Sequence, residues 1–298
     1  MARVTPVTDE FAARVDELDL CVPDAETLAA IQAAIDRYAV LVFPGQWIDN
    51  EQQQALTRAF GEPEDIAAIR NPSMEARLPT NFVDISNLDA AGKVLPAQSF
   101  RHIANLSNRL WHTDSSFRTP IARYSILSAR EVPSSGGNTE FADLRAAYDA
   151  LDGSIKTEIE DLRAEHSLLY SREIMGVTHF SQQQRDFLQP VVQPLVRTMP
   201  STGRKTLYLA SHASHIVGMP VPDGRIMLHD LMEHATQRHF VYEHRWRPGD
   251  VVMWDNRCTM HRGRRYDEVN DRRDLRRTIA IDEVAASGET AGKQRARA

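Results

Sequence analysis

Apolar residues recur at helical spacing early in the chain and gather into short β-branched runs later. Leu28, Ile31 and Ile35 fall on one face of a helix, and Asp24 stands where its carboxylate can cap the first turn. The run Ala39-Val40-Leu41-Val42-Phe43, closed by Pro44-Gly45, predicts a buried strand. Asn50 is then expected to cap a second helix, which Gly61 would end in a left-handed turn.

Beyond residue 100 the pattern is mostly that of strands. Candidates are Tyr124–Ser128, Leu207–Ala210, Phe240–Trp246, Val251–Trp254 and Thr278–Ile281. Arg247-Pro248-Gly249-Asp250 is a plausible turn joining the third and fourth of these as antiparallel neighbours. Helices are expected near Asp143–Leu151, Ile155–Glu165 and Arg225–Arg238. Many strands without regular βαβ alternation predict a mainly β protein with flanking helices, a barrel or jelly roll. No repeat or Pro/Gly/Ser-rich linker divides the chain, so residues 1–284 are expected to form one domain. The stretch 285–298 lacks aromatic and large aliphatic residues and is expected to be a disordered tail.

Composition narrows the function. The 298 residues carry 35 Lys+Arg against 41 Asp+Glu, a formal charge of −6, which speaks against broad nucleic-acid binding. There is no run of 18 apolar residues and no signal-peptide pattern, so no membrane role is expected and the location is expected to be cytoplasmic. Cys21 and Cys258 are far apart and form no C-x-x-C pair, which argues against a disulfide scaffold or a thiolate zinc site.

Chemistry concentrates in Trp111-His112-Thr113-Asp114. In an extended segment residues i and i+2 share a face, so His112 and Asp114 can present a nitrogen and a carboxylate oxygen to one ion. His261, after the apolar run Val251–Trp254, is the best third donor. Two His and one carboxylate leave three positions of an octahedral ion open, the facial triad of non-haem Fe(II) oxygenases. H-x-D alone is weak, and a His beside an Asp more often means nothing. A basic segment, Arg272-Arg273-Asp274-Leu275-Arg276-Arg277, runs into the last apolar strand. Arg273 and Arg277, four apart, would share a face of it. Inward arginines are costly unless anions pair with them. Arg262, Arg264 and Arg265 read as a solvated loop.

These residues sit in longer stretches that resemble the taurine dioxygenase and 2,4-dichlorophenoxyacetate dioxygenase family of Fe(II)/2-oxoglutarate enzymes. The likeness is carried by LSNRLWHTDSSF (106–117), VPSSGGNTEFADLRAAYDAL (132–151), LASHASHIVG (209–218) and WDNRCTMHRGRRYD (254–267). The resemblance implies a double-stranded β-helix, iron ligation by His112, Asp114 and His261, and 2-oxoglutarate as cosubstrate with O2. It implies that Thr139 and Arg273 hold the far carboxylate of 2-oxoglutarate, that Arg277 holds the acidic group of the substrate, and that Asn108 lies near both. A register slipped by one residue would substitute Arg272 and Arg276. Gly61–Thr80, where lids lie in this family, matches poorly. The implied substrate is an aryloxyacetate-type carboxylic acid, cleaved to a phenol and glyoxylate with succinate and CO2, in an enzyme expected to be a homo-oligomer.

Other readings compete. The same site could take a sulfonate, an alkyl sulfate or a natural aromatic acid. A zinc hydrolase is weakened because no H-E-x-x-H occurs, and His229-Asp230-Leu231-Met232-Glu233-His234 reads as a helix face. His212 and His215 read as structural or loop residues. A non-enzymatic jelly roll that holds a small anion would not need an iron triad and an arginine clamp together. Trp111, Trp246, Trp254, Met227, Met232 and Cys258 are read as packing residues.

Overall fold

The computed structural model describes residues 2–69, 76–96, 99–178 and 180–282. The expected tail, and residues 70–75 of the poorly matched Gly61–Thr80 stretch, lie outside them. Within the described residues a seven-stranded sheet forms one wall. Its order is Arg3–Pro6, Ala12–Asp16, Val40–Phe43, Val251–Asp255, Ala122–Glu131, Asp274–Ile281 and Val83–Ser86. Opposite it stands a three-stranded sheet in the order Val241–His244, Thr139–Asp143, Thr259–Gly263. The architecture is a jelly roll with helices outside.

Register decides which side chains reach the interior. Trp254 pairs with Ser125 and Val252 with Leu127, while Arg277 pairs with Leu127 and Leu275 with Ala129. Side chains alternate across a sheet, so Val252, Trp254, Leu127, Leu275 and Arg277 face the smaller sheet. Val251, Met253, Ile126, Leu41 and Phe43 face outward, onto the helix Ala25–Tyr38. Both faces are covered, which explains why these strands read as continuous apolar runs. Ile31 and Ile35 of that helix are each 1% exposed, and each contributes about 1.5–3 kcal/mol of burial.

Several local expectations change. Asp24 caps the first helix as expected, accepting from the Thr27 N–H at 2.8 Å. The second helix is capped by Asp49, not Asn50, through a capping box in which Gln52 bonds back to the Asp49 N–H. That helix stops at Arg58, and Gly61 serves a different purpose: a Cβ there would lie 2.8 Å from the Ile281 carbonyl oxygen. Arg247–Asp250 does not join neighbouring strands; it carries the chain from the small sheet to the large one. Ile155–Glu165 is a helix only over Gly153–Ile159, and Arg163–His166 is a strand between Ala213–Ile216 and Val191–Pro194. Two flanking strands offer those residues a ladder on both sides, which outweighs their helical pattern. Lys205–Leu207 replaces the expected strand over Leu207–Ala210.

Candidate metal centre and its two cavities

His112 and His261 meet as a single antiparallel bridge. The His112 N–H donates to the His261 carbonyl at 3.0 Å, and the His261 N–H to the His112 carbonyl at 2.8 Å. Doubly bonded opposite residues put both rings on one face. Their centroids lie 4.2 Å apart. Thr113 points the other way, its hydroxyl 2.9 Å from the Leu209 carbonyl and 3.0 Å from that of Thr259. The expected extended segment is thus one bridge residue followed by a turn over 114–117, yet the i, i+2 alternation holds. The turn brings Asp114 to the same point, 3% exposed.

One donor atom from each of these three residues lies within 4.8 Å of the others. His112 Nε2 is 3.7 Å from Asp114 Oδ1, and His261 Nε2 is 3.8 Å from Asp114 Oδ2. The His112 Nδ1 lies 2.8 Å from the Leu110 carbonyl, which accepts only from an N–H, so the Nε2 lone pair faces the centre. Burial pushes both imidazoles down, His261 well below the ordinary value, with Arg277 pushing the same way. Neutral imidazole is the form that binds a metal. Two neutral nitrogens and one carboxylate oxygen, all buried and convergent, fit a divalent ion.

Asp114 is braced from behind. The Ser125 hydroxyl donates to Oδ2 at 2.7 Å, and Asn256 Nδ2 donates to that hydroxyl at 2.9 Å. Asn256 Oδ1 in turn accepts from Trp254 Nε1 at 3.0 Å and from the Asp114 N–H at 3.3 Å. Partners of this kind fix the orientation of metal-binding side chains. Sequence reasoning missed Ser125 and Asn256 and took Trp254 as packing alone. Asn256 lies in the WDNR stretch already singled out, whereas Ser125 becomes visible only through strand register.

The two cavities meet at this centre, sharing His112, Asn108 and Arg277. Thr139, Tyr266 and Arg273 line the first. Thr139 Oγ1 accepts from Trp246 Nε1 at 2.9 Å, which leaves its own proton to donate. Arg273 is 8% exposed, donates to the Ile85 carbonyl at 3.0 Å, and has no carboxylate partner among the described residues. Burial lowers its pKa. Arg277 Nη1 lies 2.9 Å from Asp114 Oδ1 and 3.4 Å from His261 Nε2, while its buried Nε has no partner among the described residues. Asn108 makes no side-chain hydrogen bond among the described residues. Arg272 instead pairs with exposed Glu131, and Arg276 bonds Asn50 and Asp274, both away from the cavities. Facing Ser128 rather than Leu127 turns Arg276 outward.

The chain matches the family model "Taurine catabolism dioxygenase TauD, TfdA family" over residues 3–279. It belongs to the TauD/TfdA family. It is 49% identical to the alpha-ketoglutarate-dependent 2,4-dichlorophenoxyacetate dioxygenase of Cupriavidus pinatubonensis, over 94% of this chain and 97% of that protein. It is 37% identical to the (S)-phenoxypropionate/alpha-ketoglutarate-dioxygenase of Sphingobium herbicidovorans, over 90% of this chain and 91% of that one. Among solved structures, AAD-2 in complex with Mn(II) and N-oxalylglycine superposes with a TM-score of 0.87 at 49% identity, covering 94% and 97% of the two chains.

In this TauD/TfdA dioxygenase the remaining histidines, arginines and cysteine have identifiable places. His212 and His215 join no metal cluster among the described residues. His212 is nevertheless buried in the wall of the second cavity, its Nδ1 2.8 Å from Ser171 Oγ. Arg262 is not in a solvated loop: it lies over Trp111 at 4.5 Å and donates to Glu140 at 2.7 Å. Cys258 is fully buried, and burial pushes its thiol pKa well up, consistent with packing. Among the described residues no helix is long and apolar enough to cross a membrane.

Proposed function

We propose that this TauD/TfdA member is an Fe(II)/2-oxoglutarate-dependent dioxygenase that hydroxylates aryloxyalkanoic acids. His112, Asp114 and His261 are the metal ligands in this reading. Arg273 carries it: a buried cation with no carboxylate partner among the described residues, lining with Thr139, whose hydroxyl proton is free to donate, a cavity that ends on the metal-binding nitrogens. A buried guanidinium of that kind is stabilised by a planar carboxylate, which takes two parallel charge-assisted bonds. A short dicarboxylate with a metal-chelating 2-oxo acid end satisfies both ends of the cavity. Iron bound at the triad supplies oxygen activation coupled to decarboxylation of 2-oxoglutarate.

The chain's own residues hold and orient the reactants. Arg273 and Thr139 fix the distal carboxylate, Asn108 contacts both reactants, and Arg277 holds the acid group of the substrate. The large-sheet residues Trp254 and Leu127 keep water from the interior. Hydroxylation between ether oxygen and carboxylate gives a hemiacetal that collapses to a phenol and glyoxylate, with succinate and CO2 from the cosubstrate. The similarity to the Cupriavidus and Sphingobium enzymes supports this substrate class. The reading also carries a cytoplasmic location and a homo-oligomer; light scattering on the purified chain tests the oligomer, and cell fractionation the location.

The deciding assay supplies Fe(II), 2-oxoglutarate, O2 and 2,4-dichlorophenoxyacetate, and reads succinate and free phenol together. Equal amounts of both are expected. Acid-dependent succinate without phenol removes the aryloxyacid assignment, and no succinate with any organic acid removes the dioxygenase reading. Arg273→Gln is expected to raise the KM for 2-oxoglutarate by roughly 10- to 100-fold, the loss of a charge-assisted pair.

A further inference from the structure

The second cavity contains a cation that the family motifs do not account for. Arg172, on the short helix Leu168–Glu173, lines it together with Arg277. The apolar share of the wall comes from residues such as Ile66, Val83, Leu110, Phe117 and Ile279. Among the described residues the Arg172 side chain makes no ion pair and no hydrogen bond. Burial pulls its guanidinium down to about 10, and the charge of Arg277 adds to that.

The other charges of the wall are already matched. Glu64 is bonded by Ser115 at 2.7 Å and paired with Arg118, and Asp114 is held by Ser125 and Arg277. Arg277 has one amino group on Asp114 and an Nε unpartnered among the described residues. Two guanidinium groups that repel one another, in a wall whose carboxylates are already engaged, are relieved by one anion placed between them.

We infer that Arg172 is a substrate-binding residue that supplies the second guanidinium for the anionic group of the organic acid, sharing that group with Arg277. This rests on the organic-acid reading proposed above and extends it. One arginine half-engaged by a metal ligand gives a weak acid site; a second, uncommitted one makes the cavity select anions over neutral isosteres. The apolar wall then takes the rest of the molecule.

The test measures binding rather than turnover. Protein loaded with Mn(II) and N-oxalylglycine is titrated calorimetrically with 2,4-dichlorophenoxyacetate and with its neutral amide. Arg172→Gln is expected to weaken acid binding by roughly 10- to 100-fold, as loss of a charge-assisted hydrogen bond does, and to leave amide binding unchanged. Arg172→Lys is expected to restore part of the loss. Unchanged N-oxalylglycine affinity without acid shows that each variant is folded. Unchanged acid affinity in Arg172→Gln, or equal weakening of acid and amide, overturns the assignment. If the wild type binds no aryloxyacid, that substrate class fails by itself, and an alkyl sulfonate or alkyl sulfate that does bind decides Arg172 in the same comparison. If it binds none of these acids, both readings fall.

Discussion

Removing one hydroxyl behind the metal site, Ser125→Ala, separates a brace from a filler. Ser125 is fully buried, donates to Asp114 Oδ2 at 2.7 Å and accepts from Asn256 Nδ2 at 2.9 Å. The change adds no atoms, so packing is preserved, but Asn256 Nδ2 is left without an acceptor and Asp114 loses a donor. An unsatisfied buried donor costs about 1–3 kcal/mol of stability. The larger consequence falls on the metal, because an Asp114 held by Arg277 through Oδ1 alone pays more ordering cost when it ligates. Losing a partner of this kind weakens metal affinity by about 10- to 100-fold, or about 1.4–2.7 kcal/mol.

Ser128→Ala is the matched control. It lies three residues along the same strand, is 2% exposed, and donates to Gln53 Oε1 at 2.7 Å on the opposite face of the sheet. Urea denaturation should show similar losses of stability for the two variants. Mn(II) titration, following the free ion by electron paramagnetic resonance, should show weakened binding for Ser125→Ala alone. Wild-type affinity in Ser125→Ala, or an equal loss in Ser128→Ala, would falsify the bracing argument.

Two further predictions concern stability. His166 is fully buried, with Nδ1 3.0 Å from Ser116 Oγ, and burial together with Arg197 pushes its pKa down to about 3. Its unfolded pKa is higher, so stability from this group is complete above about 6.5 and declines as pH falls toward 3, by about 2 kcal/mol from 6.5 to 5. His166→Gln should therefore flatten the slope of unfolding free energy over that window, and an unchanged slope would show that His166 is not buried neutral. Gly136 has φ +72° and stands where a Cβ would lie 2.3 Å from the Arg265 carbonyl oxygen, whereas Gly92 has φ +76° in open space. Gly92→Ala should cost about 1–2 kcal/mol from backbone strain and Gly136→Ala clearly more, and equal denaturation midpoints would refute the close approach.

The chemistry-bearing residues were legible because their signal is local and typed. His112-x-Asp114 needs only the alternation of an extended segment, and that alternation survives although the strand shrinks to one bridge residue. Asp24 declared its helix because a cap acts within three residues. The inward arginines were legible in part: burial cost pointed to anion partners, but Arg273/Arg277 and Arg272/Arg276 fit the sequence equally well. Only the pairing of Arg277 with Leu127 and Val83 separates them.

The sequence by itself determined the class of fold, singled out the three side chains that converge, and pointed to two arginines costly to bury unpaired, since patterning and charge burial are properties of residue types. Tertiary structure decided what depends on distant partners. It took Arg163–His166 out of a helix by offering strands on both sides, and sent Arg247–Asp250 between sheets rather than between neighbours. It set Ser125 behind Asp114 and placed Arg172 in the wall of a cavity with Arg277. Register and chain reversal bring together residues dozens of positions apart, and no window of sequence encodes which of them will meet.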